Sequence, residues 1–540
     1  MSHDDCPLFD DNYALHLLVS ISQEALLSFE QAIAIKPDYY DAWLNRGIVL
    51  NLKKKYEEAL LSYDRAIQIE FDSYIAWLQK GAILFRQKKY KEALLSFERA
   101  IEIEPNLHIG WFNRGVILND QKKYEEALLS YDRAIQIAPQ FLAAVMNKGV
   151  TLDSLNKYTE SLSSYNKLIK IKPDYCMAWN NRGIALQKLG KCEEALLSLD
   201  KAIQIDPERY EVWLAHGILL SHQHQFEEAL LSLDKAISIK CDSHEAWCAR
   251  GLVTNAKHPT SYNCFPKTIL KNSNLNKRGY EGELASYKEG LKNCLQDTHP
   301  EGWGRLHLAI GNAHYFKGKS ERYPRSYWQK ALKSYHQALE TLTIKYFPEE
   351  HLKVLKALIQ TYLAFGEIEQ AEELQRRGTD VYKLLLNKCP SPGRKKQLSL
   401  KFASFQQLTV DISVKLGKLI KGFELAEFGK NACLIWILYG YSEEISAPTW
   451  KEIQQQLLTP QTAIIYWHIS PASLHIFILK HDAESPILIT TSVSSTEEQH
   501  PEPLERLNQF ENWVKNWNHQ YNEYGVQPTY VQNRTRCKVM

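Results

Sequence analysis

Apolar positions in the first half of the chain recur with the period of an amphipathic helix. In one short stretch they are spaced by four and three residues, and in the next by three, four and three, which marks one face of each of two helices. These positions are Trp43, Gly47 and Leu50, and then Tyr56, Ala59, Tyr63 and Ala66. The short polar link LKKK between the two stretches predicts an antiparallel helix pair.

The helix pair recurs at an interval of 34 residues. The stretch YEEALLSYDRAIQI begins at Tyr56 and occurs again unchanged at Tyr124, which is 68 residues later. A glycine marks the first helix of every unit, and four residues before each glycine stands a tryptophan or, once, Val145. The glycines are Gly47, Gly81, Gly115, Gly149, Gly183, Gly217 and Gly251. Proline ends most second helices, because it cannot donate a hydrogen bond in a helix interior.

One such pair cannot bury both of its faces, so neighbouring pairs must stack. The pattern therefore predicts an all-α fold, a right-handed superhelical solenoid of antiparallel helix pairs, with a small partial α/β segment at the carboxy-terminal end. The small residues Gly47 and Ala59 are expected to let the two backbones approach closely, while Trp43 and Tyr63 fill the space beside them.

The 34-residue period with its Trp, Gly, Ala, aromatic, Ala and Pro landmarks resembles the tetratricopeptide repeat. The resemblance implies a protein–protein interaction scaffold that holds an extended peptide or partner protein in a concave groove lined by the first helices. Two registers are candidates for that groove. The first carries side-chain amides, which offer both a donor and an acceptor to peptide backbone: Asn45, Gln79, Asn113, Asn147 and Asn181.

The next register along the first helix is basic, and it includes Arg46, Arg114 and Arg182. These cations either attract an acidic or carboxylate-ended partner or pair with acidic residues of the neighbouring repeat. The apolar register just after the tryptophan, which contains Leu44, Phe112 and Met146 among others, is expected to reach the groove as well.

The strength of the period divides the chain. Residues 1–39 are expected to form a degenerate capping repeat, residues 40–251 the regular repeats, and residues 252–300 a repeat interrupted by an insert of about 20 residues. The insert is rich in Asn, Pro and Lys, which predicts a mobile loop. Divergent helical repeats follow at 301–440, with a break at 389–396 and a helical segment from Leu398 to Gly440.

The period changes near the end of the chain. TAIIYWHIS (462–470) and SLHIFILK (473–480) predict a β-hairpin, PILITTSV (486–493) a third strand, and residues 502–524 an amphipathic helix. An LAEFGKNA-type helix followed by such a hairpin resembles the start of a CHAT domain, the caspase-like domain found behind such repeats in bacteria. The segment 441–524 is then a partial CHAT domain, with an irregular tail at 525–540, and an unrelated small α+β cap is the alternative.

Peptidases of the CHAT family use a His and Cys pair, and this chain shows no matching pair. The only late cysteine is Cys537, in a basic tail, and His468 and His475 are expected on the solvent face of the hairpin. No catalytic residue is assigned, so the alternative function is the regulatory or substrate-recruiting part of a CHAT peptidase. Either the gene product is shortened before the pair, or the segment is a retained docking remnant.

Composition narrows the remaining classes of function. A formal net charge of +2 gives no reason to expect nucleic acid or an acidic membrane as a partner. The acidic start MSHDDCPLFDD is not a signal peptide, and the ten scattered cysteines predict reduced thiols in a cytoplasmic protein. We expect no metal, no cofactor and no enzymatic activity, since the chain also lacks the glycine pattern of a nucleotide-binding transferase.

Overall fold

The protein was analysed as a computed structural model, which describes residues 22–256, 268–270, 272–389, 392–428, 449–456, 463–469, 473–480 and 483–492 of the 540-residue chain. Up to residue 293 the helices alternate between second and first members of the predicted pairs. The first helices are α2 (Tyr40–Leu52), α4 (Tyr74–Arg86), α6 (His108–Asp120), α8 (Leu142–Ser154), α10 (Cys176–Lys188), α12 (Tyr210–His222) and α14 (His244–Asn255). The second helices are α1 (Ser22–Ile35), α3 (Tyr56–Ile69), α5 (Tyr90–Ile103), α7 (Tyr124–Ile137), α9 (Tyr158–Ile171), α11 (Cys192–Ile205), α13 (Phe226–Ile239) and α15 (Gly279–Asn293).

Each landmark glycine lies under the ring or branched side chain that the pattern places beside it. A Cβ atom added at Gly115 would stand 2.6 Å from Cε1 of Tyr131, so only glycine fits there without a shift. The same relationship joins Gly47 to Tyr63, which confirms the predicted close approach of the two helices. In the fifth and sixth repeats a leucine takes the place of the aromatic ring.

The turn that joins the first helix to the second contains one residue in the left-handed backbone region. These residues recur every 34 positions, and only one of them is a glycine: Lys54, Lys88, Lys122, Asn156, Gly190 and His224. Lysine rarely adopts a positive φ, which indicates that closure of the helix pair holds the turn in this shape. The turns form one rim of the array, and we call it the turn rim.

The insert of the seventh repeat is anchored where the structure describes it. A 3-10 helix spans Ser273–Asn276, and its Leu275 is buried between α13, α14 and α15. The carbonyl oxygen of Leu275 accepts a hydrogen bond of 3.0 Å from the guanidinium of Arg250. The prediction of a mobile loop is therefore wrong for this part, and residues 257–267 and 271 lie outside the described residues.

Helices continue after the insert with longer and less regular members. They are α16 (Pro300–Ser320), α17 (Arg325–Thr341), α18 (Pro348–Phe365), α19 (Ile368–Asn387), α20 (Pro392–Lys401), α21 (Ala403–Lys415), α22 (residues 419–428) and α23 (Trp450–Gln456). The segment predicted to be helical from Leu398 is interrupted twice, at Phe402 and at Gly417, whose φ is +73°. Its last part, residues 429–440, lies outside the described residues.

Three antiparallel strands form a small sheet in the order β1 (Ala463–Ile469), β2 (Ser473–Lys480) and β3 (Ile487–Ser492). This confirms the hairpin and the third strand predicted from the sequence. One face of the sheet packs on Phe423 of α22 and Trp450 of α23 through Phe477 and its neighbours. The predicted helix at 502–524 and the tail at 525–540 lie outside the described residues.

Candidate binding groove

The first helices of successive repeats contact one another, and the side that they share is the predicted concave groove. Two rows of side chains run along this side at the 34-residue interval. One is the amide register, and the other stands three residues further along each helix and is aliphatic in every repeat. The aliphatic row consists of Ile48, Ala82, Val116, Val150, Ile184, Ile218 and Leu252.

The amide side chains differ in how much of their surface is open. Gln79 and Asn113 are 7% and 4% exposed, whereas Asn45, Asn147 and Asn181 are half-buried. The amide of Asn45 donates to the carbonyl oxygen of Asp41 at 2.8 Å, and that of Asn181 points at the sulfur of Met146 at 3.5 Å. The register therefore forms one row, but its members are not equally free to meet a ligand.

The basic register contacts the second helices rather than the shared face of the first helices. The Arg114 guanidinium donates to Glu98 at 3.2 Å, sixteen residues earlier, and to Ser130 at 2.7 Å, sixteen residues later. Arg46 joins Glu30 to Ser62 in the same way, and Arg182 joins Asn166 to Ser198. Arg46 and Arg114 thus pair with an acidic residue of the neighbouring repeat, as one of the two predicted roles requires, whereas Arg182 meets an amide there.

The tryptophans hold the start of each first helix. The indole N–H of Trp111 donates to the carbonyl oxygen of Pro105 at 3.0 Å, and the same bond over six residues recurs in every other repeat that has the tryptophan. The cations of Arg46 and Lys80 lie 5.8 and 5.3 Å from the indole ring of their own helix. These contacts make the tryptophans part of the array itself.

The apolar register after the tryptophan does not reach the groove in the way the sequence indicated. Leu44, Phe112 and Met146 are 7%, 0% and 5% exposed, because they pack between neighbouring repeats. In the fifth repeat this register holds Asn180, which is 3% exposed and donates to the side-chain oxygen of Asn181 at 3.1 Å. Sequence reasoning missed this residue, although a polar side chain in an otherwise apolar register is a visible signal.

The two histidines of the hairpin lie on the buried face of the sheet, so their predicted solvent exposure is wrong. His475 is 1% exposed, and its Nε2 is 2.7 Å from Oδ1 of Asp411 on α21, while its Nδ1 is 3.0 Å from the hydroxyl of Thr490. His468 stands directly opposite on β1, and burial lowers its pKa. His475 and Phe477 stand two residues apart on β2, and Tyr466 and His468 stand two residues apart on β1. All four side chains therefore lie on one face of the sheet.

The described part of the chain contains no metal site, no reactive cysteine and no membrane-spanning helix. No group of three or more His, Cys, Asp or Glu side chains there has the arrangement of a metal site. The described cysteines are free, and burial raises the pKa of Cys248 to about 12, which is unfavourable for a nucleophilic thiolate. Cys537 lies outside the described residues. None of the described helices combines the length and the hydropathy that a membrane span requires.

Comparison with known protein families identifies the type of repeat in the array. The tetratricopeptide repeat pattern matches residues 40–72, 74–107, 108–141 and 177–209, and a second TPR repeat pattern matches residues 152–190. Among solved structures, YrrB, described as a TPR protein with an unusual peptide-binding site, is 25% identical over 34% of this chain and 95% of its own, with a TM-score of 0.32. Among the curated proteins, none matches this chain.

Two further solved structures are similar to part of the chain. A tetratricopeptide repeat protein from Parabacteroides merdae is 19% identical over 45% of this chain and 96% of its own, with a TM-score of 0.35. MamA from Desulfovibrio magneticus RS-1 is 18% identical over 32% of this chain and 96% of its own, with a TM-score of 0.30.

Proposed function

We propose that the first helices of residues 40–251 bind an extended segment of a partner protein. The premise is that this chain contains tetratricopeptide repeats, which imply a protein–protein interaction scaffold. One observation carries the proposal. A row of amides and a row of aliphatic side chains lie three residues apart on the first helices and recur at the same interval through successive repeats. An extended peptide presents backbone polar groups and alternating side chains at regular spacing, so it can use both rows.

The amides supply the polar half of this recognition. The side chain of Asn147 is half-buried and makes no hydrogen bond to any other described residue, so its donor and acceptor remain for a ligand. An amide of this kind can bind a backbone N–H and a backbone carbonyl at once. Asn181 completes the row in the fifth repeat, where Asn180 supports it from the side.

Arg46, Arg114 and Arg182 enter the proposal in a different role. Their guanidinium groups hold successive repeats together, and this sets the spacing at which the amides are presented. The partner segment therefore needs no acidic side chains or free carboxylate, and we propose that it is neutral and aliphatic. Binding of such a segment changes little with salt, because screening acts on charge interactions.

The test compares three groove amides with three amides on the second helices. The full chain with Asn113→Ala, Asn147→Ala and Asn181→Ala is expected to lose capture of its partners from lysate. The control carries Gln68→Ala, Gln136→Ala and Gln204→Ala, which remove the same chemistry from exposed positions on α3, α7 and α11. Equal capture by the two variants, with unchanged thermal unfolding, would sink the proposal.

A second candidate function rests on the small sheet that follows the helices. A helix followed by an antiparallel hairpin is the arrangement that resembles the start of a CHAT domain, and we infer as the alternative a substrate-recruiting arm of such a peptidase. The measurement is labelling of the full chain with a cysteine-directed activity probe, together with translation of the gene beyond Met540. Absence of labelling, and of strand–His and strand–Cys segments in any frame, rejects this candidate.

A further inference from the structure

Two distant parts of the chain meet at the turn rim of the third and fourth repeats. The ammonium of Lys122, in the turn between α6 and α7, lies 3.5 Å from Oε1 of Glu349 at the start of α18, although 227 residues separate them. The side-chain amide of Gln397 on α20 donates to the backbone oxygen of Ser154, the last residue of α8, at 2.8 Å. We call these two contacts the clasp.

Glu349 is the centre of the clasp. Its carboxylate also accepts hydrogen bonds from Arg394, at 2.6 Å, and from Lys401, both of which belong to α20. Burial acts to raise the pKa of Glu349, but Lys401, Arg394 and Lys122 outweigh it and lower the pKa to about 2. The carboxylate therefore remains charged at any pH near neutrality, and it ties α18 and α20 to the turn rim at once.

The described contacts of the clasp are polar. None of the clusters of buried apolar side chains in the described residues joins the first four repeats to α18 or α20. Lys122 is 50% exposed, and ion pairs of such exposed groups are weak because water and salt screen them. Such a contact is weaker than the apolar stacking within each region, so it opens more readily than the stacked helices separate.

We propose that the clasp closes the concave side of the array along the turn rim and that its opening admits the partner segment. The helices from α7 to α17 lie between Lys122 and Glu349 in the chain, so closure brings the start and the end of this part of the solenoid together. A segment bound along the first helices is then enclosed between the joined parts. The role in admission rests on the proposed function, but the clasp itself is tested without any partner.

The first measurement uses a carbodiimide, which joins an amine to a carboxylate only when the two are in contact. In the full chain at low salt, peptide mapping is expected to find Lys122 joined to Glu349, with a lower yield in 0.5 M salt because screening weakens the pair. A map that contains the neighbouring linkage between Lys401 and Glu349 but lacks Lys122 overturns the proposal, because the reagent has then reached the same carboxylate.

The second measurement is the radius of gyration by small-angle X-ray scattering. Lys122→Glu places two like charges together and is expected to give a larger radius than the unmodified chain. Lys88→Glu is the matched control, since Lys88 has the same backbone conformation in the turn of the second repeat, and within the described residues no ion pair joins it to α18. Equal radii for the two variants overturn the proposal. Unchanged partner capture by the amide variant, together with an intact Lys122–Glu349 linkage, would refute the proposed function of the groove and leave the clasp standing.

Discussion

Arg250 and Asp234 form an ion pair of 2.6 Å in which the two side chains are 1% and 2% exposed. The pair joins the sixth repeat to the seventh, and Arg250 also donates to the hydroxyl of Ser286 at 2.8 Å. The same register of the fourth repeat holds the pair between Lys148 and Asp132, in which the side chains are 30% and 51% exposed. One position in the repeat thus gives a buried ion pair and an exposed one.

The difference in burial predicts that removing the aspartate lowers the free energy of unfolding by different amounts in the two pairs. Asp234→Ala is expected to destabilise the array by about 3–5 kcal/mol, because it leaves the Arg250 charge buried without its counterion. Asp132→Ala is expected to cost less than about 1 kcal/mol, since water solvates Lys148. Urea unfolding measures both, and hydrogen exchange should show the loss in α13 to α15. Equal costs for the two variants would contradict the argument from burial.

The contact between Gly115 and Tyr131 predicts the result of adding one methyl group. Gly115→Ala is expected to destabilise the third repeat by about 1–3 kcal/mol, because the new Cβ overlaps the tyrosine ring. Thermal unfolding and hydrogen exchange of α6 and α7 measure the effect. Ser163→Ala, at an exposed helical position, is the control and should stay within about 0.5 kcal/mol of the unmodified chain. A stabilising effect of Gly115→Ala would show that the ring moves aside freely.

The bond between His475 and Asp411 predicts what attaches the small sheet to the helices. His475→Ala is expected to cost roughly 1–3 kcal/mol locally, because the buried carboxylate of Asp411 loses a hydrogen-bond partner. Amide exchange should become faster in β1, β2 and β3, while α2 to α13 keep their protection. His336→Ala, on the exposed side of α17, serves as the control. Unchanged exchange in the strands would mean that apolar packing alone holds the sheet.

The pKa of His314 predicts a dependence of stability on pH. Burial, with the nearby charges of Lys330 and Lys288, lowers its pKa from 6.5 to about 4. The unfolded chain therefore takes up a proton near pH 6.5 and the folded chain only near pH 4, so stability is lost as the pH falls between these values. At about 1.4 kcal/mol per pKa unit, the loss reaches roughly 3 kcal/mol.

The measurement for His314 is the free energy of unfolding at pH 7.5 and at pH 4.5. His314→Gln cannot take up the proton, so the unmodified chain should lose more stability than the variant between the two values. Comparing the two chains removes the contribution of Glu283, whose pKa burial raises to about 7 and whose effect on stability has the opposite sign. Parallel losses in the two chains would refute the assignment to His314.

Local patterns predicted most of the helical array. The spacing of Gly47, Tyr56 and Tyr63 indicates which face of each helix is packed, because apolar side chains must repeat with the helical period to contact a neighbouring helix. The amide register followed from the same geometry, since every residue two positions before a landmark glycine lies on the same side of its helix. Whether a ligand uses that register is a prediction that the experiment with Asn113, Asn147 and Asn181 decides.

Patterns were ambiguous where two faces carried similar side chains. The hairpin has apolar residues at both parities of β2, so alternation alone did not show that His475 shares the buried face with Phe477. The charge on Arg46 and Arg114 was equally compatible with a ligand and with a neighbouring repeat. In both cases the missing information was which other element lies against the residue, and a single strand or helix does not contain it.

The 34-residue period by itself determined the helix pairs, their order and the register of each side chain, because these depend on contacts between residues close in sequence. Only the tertiary structure decided that Asp411 covers His475, that Arg250 is buried with Asp234, and that Glu349 meets Lys122. These contacts depend on the path of the stacked helices, which brings together residues as far as 227 positions apart. No local spacing records that path, since it accumulates from small rotations at every repeat.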